Sequence, residues 1–199
     1  IIVFTSDHGD MMGDHGLMLK GFMHYRGTLH VPMVISVPGQ KPNRTAALAS
    51  SIDLGPTLLE ICGIQGYDGI QGYSLNSLIQ DPDASVRESV LIEDDIAPVV
   101  ASLTPIPAKT RTVITDTHRY TRNSKREEQL IDLIADPDEC ENHAETDAGA
   151  RTLAIERLTD ALIAADDVLE NEVTTLYFDM IYYADEWEIK NQFFYESYE

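Results

Sequence analysis

An apolar run that ends abruptly in metal-ligating side chains constrains this chain more than any other feature. Ile1 to Phe4 is too short for a helix and rich in β-branched residues. Such a run reads as a buried strand of a parallel sheet. It stops at Thr5-Ser6-Asp7-His8-Gly9. In open α/β sheets ligands sit just beyond the carboxyl ends of strands, which is where Asp7 and His8 fall. A carboxylate offers hard, charged oxygen and an imidazole offers neutral nitrogen. Together they supply half of a typical divalent-metal shell.

A Gly- and Met-containing loop follows, carrying Asp10, Asp14 and His15 and reaching Lys20. Asp10 and Asp14 read as loop charges. Lys20 is either a solvated cation or the point charge that holds an anionic substrate against the metal, and the second reading is preferred. His15 and His24 each have two readings. One is a cleft residue that donates a proton to a leaving group. The other, slightly preferred, is a loop histidine bonded to backbone. Arg26 faces either an anionic substrate or solvent. From His30 to Gly39 the sequence reads as a second buried strand bounded by prolines.

Farther along, Asp53 is a candidate N-cap for a helix from about Leu54 to Cys62, with Pro56 in its first turn and Gly63 ending it. Cys62 and Cys140 lie too far apart for a metal or redox spacing, and Cys62 reads as a buried small hydrophobe. Residues 89–94 look like another buried strand, ending in the carboxylates Glu93, Asp94 and Asp95. Such a run is more often a solvated edge than a ligand set. From Arg111 the pattern becomes that of an antiparallel sheet, with a hairpin loop at Arg122 to Lys125. A helix over Thr152 to Ala165 presents Leu153, Ile155, Leu158, Leu162 and Ile163 at mainly helical spacing. Residues 168–199 are acidic, lack Gly and Pro, and hold most of the aromatics, including the only Trp, Trp187. They read as a tail packing on the domain or on a second copy, which would make the chain an oligomer, or as a disordered segment.

The formal net charge is −20. Such a surface repels nucleic acid and anionic membranes, so neither is expected as a partner. No apolar run approaches bilayer length, so a soluble chain is expected; its compartment is left open, with the cytoplasm slightly preferred. Because the sequence opens inside a strand without Met, it reads as a fragment cut within a sheet.

Five segments carry a resemblance. They are Ser6-Asp7-His8-Gly9 followed by Lys20 and Val31-Pro32; Asp53 to Leu59, of the form D-x-x-P-T; and Gly69 to Leu75, of the form G-x-Q-G-x-S-L. The others are Leu130-Ile131-Asp132-Leu133, and Asp136-Pro137 with Glu141-Asn142, read as D-P-x-E…N. In this order they resemble the sulfatases of the alkaline phosphatase superfamily over about residues 1–165. The resemblance implies an α/β fold: part of an alkaline-phosphatase-like mixed sheet between helices (1–110), then a small antiparallel sheet backed by a helix (111–167). It implies hydrolysis of a sulfate ester, with Asp7 and His8 on one divalent metal, Ca2+ before Mn2+ or Zn2+, and Lys20 on the sulfate. It also implies a formylglycine nucleophile made from a C/S-x-P-S-R motif. That motif does not occur here, and neither Cys62 nor Cys140 fits it. The fragment is therefore expected to hold half a metal site and to be inactive alone. The alternatives are a phosphonate or phosphate ester hydrolase of the same superfamily, and a non-catalytic sulfatase-like interaction module. Two departures stand out: His30 where relatives carry Arg before Val-Pro, and Ile131 where Tyr is common.

The charge of −20 fits an ordinary acidic protein and a salt-adapted one alike. For a salt-adapted chain, screening of self-repulsion raises the thermal midpoint from low to molar salt. A midpoint that stays flat across a salt series would remove that reading.

Overall fold

The structure, a computed structural model, describes residues 1–167 except Phe22. Two antiparallel sheets organise it. Strands β1 (Ile2–Thr5) and β2 (Met33–Ser36) form a two-stranded ribbon in which Ile2 faces Ser36 and Thr5 faces Met33. Strands β3 (Val90–Asp95), β4 (Lys109–Ile114), β5 (His118–Asn123) and β6 (Glu128–Asp132) form a meander in sequential order. The helices are α1 (Arg26–Leu29), α2 (Leu54–Ile61), α3 (Asn76–Gln80), α4 (Pro98–Leu103) and α5 (Ala148–Asp167).

The opening strand differs from its sequence reading in two ways. Its partner β2 returns along it in the opposite direction, so the pair is antiparallel. One face of the ribbon is open: Ile2 is 71% and Phe4 64% exposed, with Val34 beside them, while Val3 and Ile35 on the other face are half-buried. An unbroken apolar run marks a strand, but it does not fix the direction of the neighbour or which face is covered.

The second sheet begins earlier than expected. β3 pairs with β4 from Val90↔Ile114 to Asp95↔Lys109, so the acidic strand end belongs to the C-terminal sheet. Its carboxylates meet a cation across the ladder: Arg111 reaches Glu93 at 2.7 Å and Asp95 at 2.5 Å. The core of this half is Val113, Tyr120 and Leu130 under Ala154 and Leu158 of α5, with Ile155 and Leu162 packed beside them. Leu153 and Ile163, placed on the same stripe by spacing, are exposed instead. The small side chains Ala150 and Ala154, one turn apart, take the sheet-facing row and let the helix sit close.

Two of the sequence motifs dock on each other. Asp53 is fully buried and is not the simple N-cap expected. Ser50 is the cap, and Asp53 answers it across a capping box, Oδ2 accepting from the Ser50 amide at 2.7 Å. Its Oδ1 accepts from the Tyr73 amide at 2.8 Å and from the Arg87 guanidinium. One turn on, buried Thr57 donates to the Asp53 carbonyl at 2.5 Å and accepts from the Leu75 amide at 2.8 Å. Gly72 permits this approach, since a Cβ there would collide with the Ile52 carbonyl oxygen. α2 ends as expected: Gly63 takes φ +68°, and the Ile64 amide reaches back to Leu59 at 2.8 Å. Cys62, however, is exposed at that end, as is Cys140, and both are free thiols. Which side of a helix's last turn is covered is not revealed by a local apolar pattern.

Asp53→Ala leaves the Arg87 guanidinium, whose side chain is 7% exposed, without its carboxylate, and strips an acceptor from two amides. The expected loss of stability is about 3–5 kcal/mol, read as a lowered urea midpoint. Asp53→Asn should lose less, because it keeps an acceptor oxygen.

Candidate metal and anion site

The end of β1 leads directly into the candidate site. The Asp7 side chain is 83% exposed. Its Oδ1 accepts from the His8 amide at 3.0 Å and from the Ser6 hydroxyl at 3.3 Å. The His8 amide, chiefly, holds its carboxyl below the usual carboxylate range. The Ser6 hydroxyl also donates to the His8 carbonyl at 2.8 Å, closing the turn.

His8 is oriented through its other nitrogen. Nδ1 lies 2.8 Å from the Gly9 carbonyl, which can only accept, so Nδ1 carries the hydrogen. In the neutral ring Nε2 keeps its lone pair, as in metal-ligating histidines held by a backbone carbonyl. Nε2 sits 3.4 Å from Asp7 Oδ2 and 2.5 Å from Lys20 Nζ. Three residues singled out from the sequence thus converge: Asp7, His8 and Lys20. Among the described residues no group of three or more His, Cys, Asp or Glu side chains forms a metal shell. The donor chemistry of Asp7 and His8 suits a divalent ion, and the pair is part of a set rather than a complete one.

Gly9 fixes where this turn lies. Its amide donates to the Thr28 carbonyl at 2.8 Å, and a Cβ on Gly9 would collide with the Gly27 carbonyl oxygen. The turn after β1 and helix α1 are therefore locked together, and only glycine fits between them.

The two other candidate histidines, His15 and His24, lie elsewhere, and among the described residues neither side chain is bonded to backbone as the slightly preferred reading had it. His15 stacks on Tyr25 with ring centroids 4.0 Å apart. His24 is 6% exposed, its Nδ1 2.8 Å from the Thr112 hydroxyl and its Nε2 3.8 Å from Asp94. Burial pushes the His24 pKa down, with Asp94 opposing. Asp10 accepts from the Met12 amide at 3.3 Å, and the Asp14 carboxylate lies by Gly27. Arg26 reaches His30 at 3.3 Å, side chain to side chain on exposed ground.

The main residue that the sequence reading missed is Glu139. Counted from Asp136, the pattern D-P-x-E falls on Glu139, whereas Glu141 was named. Glu141 has a 74% exposed side chain, while Glu139 is buried and adopts φ +56°. Glu139 Oε1 accepts from Arg119 Nε at 2.6 Å, and Oε2 accepts from the Arg26 amide at 2.6 Å, at the first residue of α1. Arg119, 1% exposed, also donates to Thr121 at 2.9 Å and Gln129 at 3.2 Å, and its guanidinium lies 5.0 Å from the Tyr25 ring centre. Tyr25 in turn accepts from Gln129 at 3.1 Å. Counting residues after the Asp-Pro pair was the available signal. The rest of the signature is structural: Asn142 continues the β6 edge, accepting from the Leu130 amide at 2.9 Å and donating to the Glu128 carbonyl at 2.9 Å. Residues 168–199, with the expected aromatic tail, lie outside the described residues. Among the described residues no helix is long and apolar enough to cross a membrane.

Comparison with solved structures defines the class. The chain is similar to a 2-O GAG sulfatase (26% identical, TM-score 0.68, covering 83% of this chain and 36% of that one). It is also similar to the phosphonate monoester hydrolase of Agrobacterium radiobacter (26%, TM-score 0.67, 84% and 35%). The fold is that of the alkaline-phosphatase-like sulfatases. Residues 13–166 match the family described as N-sulphoglucosamine sulphohydrolase, C-terminal, and the chain belongs to that family. Among sequences it is 33% identical to arylsulfatase K of Xenopus laevis, over 72% of this chain and 27% of the relative. It is 34% identical to choline-sulfatase of Rhizobium meliloti, over 75% and 28%. The chain thus spans about a quarter of the length of the curated relatives it matches.

His24 gives a pH test with a definite sign. Its folded pKa lies below the ordinary 6.5, so the unfolded chain takes up a proton that the folded chain resists. Stability is full above that value and falls as pH drops from it toward the folded pKa. In urea melts from roughly pH 7.5 to 5.5, His24→Gln is expected to flatten that decline. An unchanged slope would mean that another group causes it.

Proposed function

We propose that this chain is part of a metal-dependent sulfatase that hydrolyses sulfate esters. Asp7 and His8 supply half of the metal site and Lys20 is the sulfate-binding cation. The observation that carries the reading is the meeting of Lys20 Nζ with His8 Nε2 at 2.5 Å, with Asp7 alongside. Family membership supports the reaction class. In this reading the Gly9 carbonyl holds the hydrogen on His8 Nδ1, so Nε2 would ligate the ion once Lys20 turns from it to the sulfate, and the Asp7 carboxylate would supply charge. Lys20 binds a sulfuryl oxygen and offsets the charge that grows there in the transition state. Asp7 and His8 would hold part of the shell of a divalent ion, which would supply Lewis-acid polarisation of the ester. Calcium is the metal implied by family resemblance, and the imidazole nitrogen also suits manganese or zinc.

The second reading is a phosphonate or phosphate ester hydrolase. It is supported by the phosphonate monoester hydrolase among the structural neighbours. The two differ in the nucleophile segment, which is not among these residues.

Calorimetric titration with calcium chloride tests the metal half. Asp7→Asn is expected to abolish binding and His8→Gln to weaken it by roughly tenfold or more. Unaltered binding in both variants would remove the assignment. The purified chain is expected not to turn over 4-nitrophenyl sulfate, and metal-dependent turnover would refute its being half a site.

A further inference from the structure

We propose that Glu139 is a positioning residue for His8: from the C-terminal sheet it sets helix α1, and α1 sets the imidazole. As a statement about metal binding this rests on the reading of Asp7 and His8 as ligands. The His8 side chain is 39% exposed, so packing does not hold its ring. Its polar neighbours are Asp7 Oδ2, Lys20 Nζ and the Gly9 carbonyl. The first two would rearrange as an ion and an anion arrive. The Gly9 carbonyl, 2.8 Å from Nδ1, is the contact that stays. Its place is given by α1: the Gly9 amide donates to the Thr28 carbonyl at 2.8 Å, and Gly9 lies against the Gly27 carbonyl where a Cβ would collide.

α1 has four residues, too few to hold itself, and its N-cap Tyr25 supplies no side-chain acceptor. Glu139, 113 residues away in sequence, takes that role: Oε2 accepts from the Arg26 amide at 2.6 Å. Arg119 fixes the other oxygen at 2.6 Å. The Thr28 hydroxyl closes the helix on itself, donating to the Met23 carbonyl at 2.6 Å and the Tyr25 carbonyl at 2.9 Å. A shift at the first residue of α1 therefore carries to Thr28 and Gly9. Two features of Glu139 favour placement over stability as its purpose. Its charge is buried in a pair with Arg119, and such pairs contribute little net stability. It also adopts φ +56°, a left-handed backbone that is uncommon for Glu and gathers at functional positions.

Replacing Glu139 alone would strand the buried Arg119 charge, so two charge-free pairs are compared. Arg119→Leu with Glu139→Gln leaves a carbonyl oxygen for the Arg26 amide, whereas Arg119→Leu with Glu139→Leu leaves none. Two readouts are taken: calorimetric titration with calcium chloride, and 15N NMR of the metal-free His8 ring at roughly pH 8.5, where it is neutral. The Gln pair is expected to keep the hydrogen on Nδ1 and bind calcium within about twofold of the unaltered chain. The Leu pair should show a mixture of the two ring forms and bind roughly tenfold more weakly. Equal affinity and equal ring forms in the two pairs would overturn the proposal. Should either pair fail to fold, hydrogen exchange on the unaltered chain decides: calcium is expected to slow the Gly9 and Arg26 amides together, and a slowed Gly9 beside an unchanged Arg26 would overturn it. Calcium that does not bind the unaltered chain, or binds His8→Gln equally well, overturns the metal reading instead, and the ring forms then decide on their own whether Glu139 positions His8.

Discussion

The carboxylate of Glu139 is the interaction on which the arrangement of this chain depends. It lies between two segments far apart in sequence, accepting from the Arg119 guanidinium on β5 and from the Arg26 amide at the start of α1. Removing two charges from water costs several kcal/mol per ion, and the attraction between them offsets this only when the remaining hydrogen-bonding positions are also filled. Here the carboxylate side is filled, while Arg119 Nη2 is buried with no partner among the described residues. Arg119 spends further donors on Thr121 and Gln129, and both Glu139 oxygens are occupied. The pair therefore fixes geometry more than it adds stability. Around it Tyr25, His24 and Thr112 complete a polar layer that seats residues 24–26 on the C-terminal sheet.

That seating reaches the candidate site through the backbone of α1 and Gly9. α1 is held at its first residue by Glu139, and Thr28 near its other end holds the Gly9 amide. Gly9 is in turn the acceptor that orients His8. A chain of three hydrogen bonds thus runs, by way of α1, from the buried ion pair to the His8 imidazole. Each link is short and directional, and none relies on the exposed side chains of the ribbon. The open face of the ribbon and the fixed turn after β1 are compatible for that reason.

Much of this was readable in the sequence, and the failures share one cause. That Asp7, His8 and Lys20 lie together was legible because they sit on one short stretch of chain, and the meander was legible because alternation is local. Gly63 was legible because only glycine takes its backbone angle without strain. What escaped was whatever depends on a partner distant in sequence. Asp53 looks like a cap until Arg87 and Tyr73 arrive. Ile2 and Phe4 look buried because apolar runs usually are. Leu153 and Ile163 share a stripe with Leu158, yet the sheet covers only the row marked by Ala150 and Ala154. Glu139 and Glu141 are two residues apart, and only the fold distinguishes the buried one from the solvated one.

The docking of the Asp53–Thr57 turn on the Tyr73–Leu75 segment bears on how this region tolerates change. Two parallel rungs, Asp53 to the Tyr73 amide and Thr57 to the Leu75 amide, clamp both ends of the stretch from Gly63 to Gln71. Most of that stretch is exposed, Tyr67 at 73%. Because the clamp is closed at its base, extra length adds mainly loop-closure entropy, about 0.6 kcal/mol for each doubling. Insertions and grafted segments can therefore enter between Ile64 and Gln71 while the rungs stay in register. This gives the fold a place to lengthen without touching either sheet.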